Sequence, residues 1–274
     1  MSFTEIMYEF VGSNNVAIYV LHLDRATERL PVIADLETKL NTRLPIFPAC
    51  EGNEFIRNGH PTKCINDARY RRSPGDIGCT VSHINICRHT LSNNYDFVVI
   101  FEDDCTIDKT LDDIRQRLGE FKALNKSWDL FCIGGRNNGV GIDDIFMKLE
   151  FFYGTHAVIL NKKFMRELIL RYETYYNSGR TWAIDGIYSN VLRSGKCTGY
   201  GFRSHTELFY QKTELPSYIL SDVIEPLYLE NIDQCPVSAA SRWAPDNRND
   251  PILKYDPFRG IPCTDDSLTT TMYF

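Results

Sequence analysis

The sequence predicts an α/β protein: a sheet that begins with parallel strands, helices packed on it, and an irregular C-terminal extension. Three observations carry this. A β-branched strand pattern at residues 16–23 is followed by a helical pattern at 26–40 and a short strand at 44–50. That β-α-β beginning favours a parallel sheet with right-handed crossovers. Further on, Val98, Val99, Ile100 and Phe101 form a buried strand that runs straight into Glu102, Asp103 and Asp104. Past about Ser221 the periodicity fades, and six prolines from Pro226 to Pro262 punctuate the chain. Residues 1–220 therefore read as the α/β domain and 221–274 as an extension packed on it.

The elements follow in order. The first strand ends at Asp24 and Arg25, and Leu30, Ile33, Leu36 and Leu40 keep helical register behind it. Glu51, Gly52 and Asn53 read as a turn. Residues 53–72 are polar and aperiodic, a loop containing Arg57, His60, Lys63, Arg69, Arg71 and Arg72; long loops in compact domains are usually functional or mobile. Ser73 then caps a helix with Pro74 at its first position. That helix runs over 77–91, and its small face (Gly78, Cys79, Ser82) predicts a closely packed neighbour. After the strand at 97–101 come a polar helix at 110–124 and a buried strand at 128–133 closed by Gly134 and Gly135. A strand pair or one bent strand covers 151–160. Asn161 caps a helix over 162–172, a second amphipathic helix covers 186–193, and short β pieces lie at 197–202 and 208–211.

Composition excludes several classes. The chain has 274 residues, 43% of them hydrophobic, and a net charge of -6. This is an ordinary soluble protein with material for a substantial core. The mild acidity argues against nucleic acid as main partner. The first ten residues carry Glu5 and Glu9 and no basic cluster, unlike a secretory signal. No apolar run approaches the roughly 18 residues of a membrane span. Nine cysteines sit singly, with no C-x-x-C pair, which speaks against a zinc ribbon and for reduced thiols in a cytoplasmic protein.

Three consecutive carboxylates after a strand cost free energy unless a cation or a hydrogen-bond network offsets them. A hard divalent ion with oxygen ligands is the simplest offset, and strand ends in open α/β sheets are where ligands bind. A solvated acidic turn is the other reading of the same residues.

The blocks then fall in a recognisable order. His22-Leu23-Asp24-Arg25 with Arg29 one turn on is followed by Gly75-Asp76-Ile77-Gly78-Cys79-Thr80-Val81-Ser82-His83. Then come Phe101-Glu102-Asp103-Asp104, Gly154-Thr155-His156-Ala157 and Ile184-Asp185. Between about Val16 and Ser217 the chain resembles glycosyltransferase family 25, the lipopolysaccharide- and collagen-type glycosyltransferases. It departs from that pattern at Asp76, where Glu is usual, at Phe101, and at Val158, near the usual Tyr.

The resemblance implies a GT-A fold: a Rossmann-like mixed sheet flanked by helices. It implies a nucleotide-sugar donor, a UDP-hexose in the first instance, a glycan acceptor, and Mn²⁺ or Mg²⁺ at the acidic strand end. On this reading Asp104 is the direct metal ligand, with Glu102 and His205 as further ligands. Leu23, Arg25, Arg29, Glu51, Gly52, His83, Glu102 and Asp103 bind the nucleotide-sugar, with Cys50 beside Glu51. Asp185 is the general base of an inverting transfer, and Trp182 stacks on an acceptor ring. Asp185 also reads as a plain helix N-cap, His83 as a core histidine and His205 as a surface one. Without a membrane span, a peripheral membrane contact stays open. A haloacid-dehalogenase-type phosphatase would need Asp where Glu102 stands. An inactive GT-A-like nucleotide-sugar or glycan-binding protein is the alternative to the enzyme.

Overall fold

Alternation along the strands decides which side chains meet which helices in the computed structural model, which describes residues 1–65, 71–212 and 215. The elements run α1 (Phe3–Val11), β1 (Val16–His22), α2 (Leu30–Leu40), β2 (Ile46–Pro48), α3 (Gly52–Arg57), α4 (Pro74–Ser92), β3 (Phe97–Glu102), β4 (Cys105–Ile107), α5 (Leu111–Ala123) and β5 (Leu130–Cys132). They continue β6 (Arg136–Gly141), β7 (Phe146–Tyr153), β8 (Ala157–Asn161), α6 (Lys162–Asn177), α7 (Ile184–Arg193), β9 (Gly199–Phe202) and β10 (Phe209–Gln211). Among the described residues, eight strands form one sheet in the order β2-β1-β3-β8-β5-β9-β7-β6, and β10 pairs with β4 in a small second sheet. β1 lies parallel to both β2 and β3, while β8 runs antiparallel between β3 and β5. The fold is thus a mixed α/β sheet flanked by helices. The parallel β2-β1-β3 part is the one the β-α-β pattern predicts, and β5 and β9 form a second parallel pair.

Val16, Ile18 and Val20 of β1 and Val99 and Phe101 of β3 point to one face, where α1, α2 and α5 cover them. Phe3, Ile6, Met7 and Phe10 of α1 are buried there. The intervening residues of β3 (Val98, Ile100 and then Glu102) face the side of α4, since successive side chains alternate. One register thus builds the core and carries Glu102 toward α4.

The small face of α4 meets the segment it anticipates. Ser82 Oγ accepts from Cys50 N at 2.8 Å and donates to Gly78 O at 2.7 Å. A Cβ on Gly78 would lie 2.5 Å from Cys50 O, and one on Gly52 would lie 1.6 Å from Pro74 O. The two glycines therefore let the start of α3 press onto the first turns of α4. Ser73 caps α4, its side chain accepting from Asp76 N, as the Ser-Pro start predicts.

Several elements differ from the sequence reading. α1 was not anticipated, although Ser2 and Glu5 form a reciprocal capping box ahead of its apolar stripe. The stretch 53–72 is not loop throughout. Its first part is α3, and Lys63 and Cys64 make isolated β-bridges to Arg71 and Thr181. Of the two readings of 151–160, two strands hold rather than one bent strand, although they do not pair with each other: β7 pairs with β6 and β9, and β8 with β3 and β5. β4 and β6 are additional, and α6 runs on to Asn177. The chain divides into two units, Met1–Asp233 and Gln234–Phe274. The expected boundary at 220 and the irregular extension lie outside the described residues.

Gly52→Ala is expected to lower unfolding stability by about 3 kcal/mol or more, because overpacking against backbone cannot relax by rotamer change. Gly119→Ala, at an exposed α5 position where nothing lies within 4 Å of a new Cβ, is expected to raise stability by about 0.5–1 kcal/mol. Urea unfolding of the two variants beside the parent checks both signs.

Candidate active site

β1 and β3 end side by side, and a cavity of about 120 Å³ opens at those ends. Leu21, Leu23, Arg29, Cys50, Glu51 and Gly52 line one wall; Gly75, Gly78, Cys79 and Ser82 of α4 line another. Glu102, Asp103, Asp104 and Gln211 complete it. The fold thus brings Leu23, Arg29, Glu51, Gly52, Glu102, Asp103 and Asp104 together around one cavity. A groove of about 350 Å³ between α2 and the segment from Arg43 to Ile46 has no comparable set of acids.

The three carboxylates are treated differently. Asp103 points inward. Its Oδ2 lies 2.9 Å from His22 Nδ1, and its Oδ1 accepts from Arg29 Nη1. Both partners are buried. The same Arg29 nitrogen reaches Asp104 Oδ2 at 3.3 Å. Arg29 was expected to bind the nucleotide-sugar. It lines the cavity, but its guanidinium is turned to two carboxylates, so its structural task is to neutralise them.

Glu102 is held by its Oε1. Thr155 Oγ1 donates to that atom at 2.6 Å, His83 Nε2 lies 3.1 Å away and Cys79 Sγ 4.0 Å away. Burial works to raise the Glu102 pKa, but the His83 and Thr155 contacts outweigh it and hold the carboxyl below its ordinary range. His83 is fully buried, with Nδ1 3.2 Å from Tyr188 OH. It cannot touch a donor sugar, which corrects the expected contact: it orients Glu102 instead. Cys79, His83 and Glu102 offer three ligand atoms within 4.8 Å of one another. Burial and the neighbouring Glu102 push the Cys79 thiol well up, so without a bound ion it stands as a neutral thiol.

Asp104 has the least compensation. Burial, then Glu102, push its carboxyl up to about 7, against the pull of Arg29; Asp103 adds to the rise. Gln211 Nε2 donates to its Oδ1 at 3.4 Å. Gln211 reaches the site because β10 pairs antiparallel with β4, which opens directly after the acids. Oxygens of Asp104 and Glu102 beside the cavity are the hard donors that could hold a cation.

Asp185 lies in the first turn of α7, whose N-cap is Ala183, so it is not the plain cap the sequence also allowed. Its Oδ1 accepts from Gly186 N at 2.7 Å. Burial pushes its carboxyl up to about 6, opposed by Arg72 and reinforced by Asp76 and Glu102. Trp182 is 4% exposed, its indole pressed on the bare Cα of Gly186 and its ring 6.0 Å from Tyr175. It is core, not a platform for a sugar. His205 sits exposed on the turn between β9 and β10, in left-handed backbone at φ 70°, and does not line the cavity. The expected third ligand is therefore a surface histidine. Arg25 pairs with Glu51 at 2.7 Å, both side chains 41% exposed, at the edge of the cavity. Sequence reasoning did not give His22, Thr155, Tyr188 and Gln211 roles of their own. His22 and Thr155 stand inside quoted blocks, whereas Tyr188 and Gln211 are brought in by tertiary packing alone.

Residues 15–133, from β1 through β5, match the family model described as glycosyltransferase family 25 (LPS biosynthesis protein). The resemblance carried by the helix and strand-end motifs is thus shown over this stretch, and it supports a glycosyltransferase activity. A comparison with curated proteins finds no match. Among solved structures, A197 from STIV is similar at 11% identity, with 69% of this chain and 82% of that chain covered and a TM-score of 0.40. HddC from Yersinia pseudotuberculosis is similar at 11% identity, with 76% and 78% covered and a TM-score of 0.36.

The folded protein keeps the Asp104 proton up to a pH of about 7, whereas an unfolded Asp loses it near 3.8. The stability tied to this group is therefore full below the unfolded value and lost as pH rises toward 7. Asp104→Asn is expected to stabilise the protein at pH 8 without divalent ions, by roughly 2–4 kcal/mol, and to leave it unchanged near pH 3.5. Thermal unfolding at the two pH values reads this directly; a variant less stable than the parent at pH 8 contradicts it.

Proposed function

We propose that the protein is a metal-dependent glycosyltransferase of the GT-A type that moves a hexose from a UDP-sugar to a glycan hydroxyl with inversion. The observation that carries this reading is the meeting of Glu102 and Asp104 with a cavity at the parallel strand ends, inside the stretch that matches the family model. The donor set fits a hard divalent cation: burial, and then Glu102, force the Asp104 carboxyl toward neutrality, and a cation would offset that cost. Asp104 and Glu102 would hold Mn²⁺ or Mg²⁺. When bound, the ion supplies Lewis-acid stabilisation of a leaving diphosphate.

The chain's own residues do the rest. Arg29 and His22 fix Asp103 and so fix the strand end from within. His83, Tyr188 and Thr155 keep Glu102 ionised and oriented. Leu21, Leu23 and the segment from Cys50 to Gly52 offer an apolar wall and backbone groups to a base and ribose. Arg25 and Glu51 pair at the edge, where a nucleotide would enter. Asp185, raised toward the working pH by burial, takes the proton from the acceptor hydroxyl as it attacks the anomeric carbon.

No described helix is long and apolar enough to cross a membrane, and the cysteines among the described residues are free thiols. Free thiols suit the cytoplasmic enzyme expected from the sequence.

Release of UDP from a panel of UDP-hexoses, with and without Mn²⁺, tests the reading. One donor is expected to be hydrolysed slowly with the metal, and not with chelator or in Asp104→Ala. Metal-dependent binding of a donor, with no turnover even when acceptors are supplied, would instead point to a binding protein. For transfer, kcat is expected to rise with pH through about 6 and level off above it, because the base must be ionised. Asp185→Asn is expected to lower kcat by about 10²–10⁴-fold. A pH-independent rate between 5 and 8, or a near-native Asp185→Asn, would remove Asp185 from the role.

A further inference from the structure

Residues 57–72 hold five basic side chains against one acid, in a chain whose net charge is -6. The donor cavity uses none of them. The fold gathers several into a small plate. Lys63 bridges Arg71, and Cys64 bridges Thr181. Arg72 N donates to Thr62 O at 2.8 Å, Thr181 N to Lys63 O at 2.9 Å and Ile65 N to Thr181 O at 3.0 Å. Arg180 joins through Nη1, 3.1 Å from Cys64 O. Three short extended segments thus lie side by side and carry Lys63, Arg71, Arg72 and Arg180.

Most of these charges lack a counter-charge among the described residues. Among the described residues, Lys63, Arg71 and Arg180 have no acidic partner. Arg71 Nη1 donates to Thr62 Oγ1 at 2.7 Å, which leaves its charge uncompensated. Arg72 reaches Asp76 only at 3.7 Å, and its buried Nε has no hydrogen-bond partner among the described residues. Like charges held together repel unless an anion joins them. Guanidinium forks suit phosphate, sulfate and carboxylate.

The plate is tied to the candidate base. Thr181 belongs to it, and Asp185 follows four residues later. Thr80 Oγ1 donates to Trp182 O at 3.0 Å, pinning that connection to α4. Arg72 is near enough to Asp185 to draw its carboxyl down against burial. From this placement we infer that the plate receives an anionic group of the acceptor, so that the substrate class is a phosphorylated, sulfated or carboxylated glycan rather than a neutral one. The inference rests on the reading of the neighbouring cavity as a transferase site. An anionic lipid surface offers similar charge, but it would not need the charges beside a base that works on one hydroxyl.

Calorimetry on the full chain with UDP and Mn²⁺ provides the test. The probes are tetragalacturonate, a sulfated and a phosphorylated maltotetraose, and neutral maltotetraose. At least one anionic probe is expected to bind tenfold or more tighter than the neutral sugar. Its affinity should fall severalfold between about 50 and 300 mM salt, as screened charge requires. The pair Lys63→Glu and Arg71→Glu is expected to erase the preference at an unchanged melting temperature; if it misfolds, Lys63→Gln with Arg71→Gln should reduce the preference severalfold. Equal binding of charged and neutral probes, or a preference that survives both variants, overturns the inference. So does vesicle binding to phosphatidylglycerol that the variants abolish while oligosaccharide binding is untouched. UDP binding, measured separately, keeps the two readings apart. Its absence defeats the transferase reading, whereas UDP binding without an anionic preference defeats only this one.

Discussion

The buried contact of Arg29 and His22 with Asp103 is the constraint on which the site depends. Three consecutive carboxylates at a strand end cannot all be left uncompensated. The fold answers by turning the middle one inward to a buried guanidinium and an imidazole. The outer two then diverge to the cavity. Removing one partner of such a pair leaves a buried charge alone, a change that costs about 3–5 kcal/mol in comparable sites. Arg29 also touches Asp104, so the same cation that secures the backbone sets how much negative charge remains for a ligand.

The sheet supplies the other half of the arrangement. Period-two alternation sends Val99 and Phe101 to the helices of one face and Glu102 to α4 on the other. Pairing of β3 with β1 brings Leu21 level with Glu102, which aligns the pocket wall with the acids. Gly52 and Gly78 allow the third wall to close, because any side chain there would strike backbone. Polar residues beneath Glu102 are few but fully engaged: Thr155 from the turn before β8, His83 from α4 and Tyr188 from α7 converge through Oε1 and the imidazole. Elements far apart in sequence are thereby locked to one oxygen.

Much of this was legible in the residues. The β-α-β start, the acid-terminated strand, the Ser-Pro helix cap and the small face of α4 each have a local physical cause, and each appears in the fold. The glycosyltransferase resemblance rests on the same blocks. α1 was missed although its signal was local, Ser2 and Glu5 before Phe3, Ile6, Met7 and Phe10. β6 was not legible, since its six residues include two glycines and two asparagines and only β7 pairing makes them a strand. Burial cannot be read from a motif. His83 and Trp182 look like ligand-facing residues in sequence, and both are enclosed, one beneath Glu102 and the other over Gly186. His205 shows the reverse: a position past the core strands resembles a returning ligand, but a left-handed turn leaves it on the surface. Gln211 takes a place at the cavity through β10–β4 pairing that no local pattern encodes.

The most direct measurement is a crystal structure of the protein with Mn²⁺ and UDP, with the metal located by anomalous scattering. The account predicts an Mn²⁺ peak between carboxylate oxygens of Asp104 and Glu102, with Asp103 still turned to Arg29 and His22, and the nucleotide against Leu21, Leu23 and the segment from Cys50 to Gly52. A metal bound elsewhere, or UDP seated away from the ends of β1 and β3 with the acids uninvolved, would contradict it.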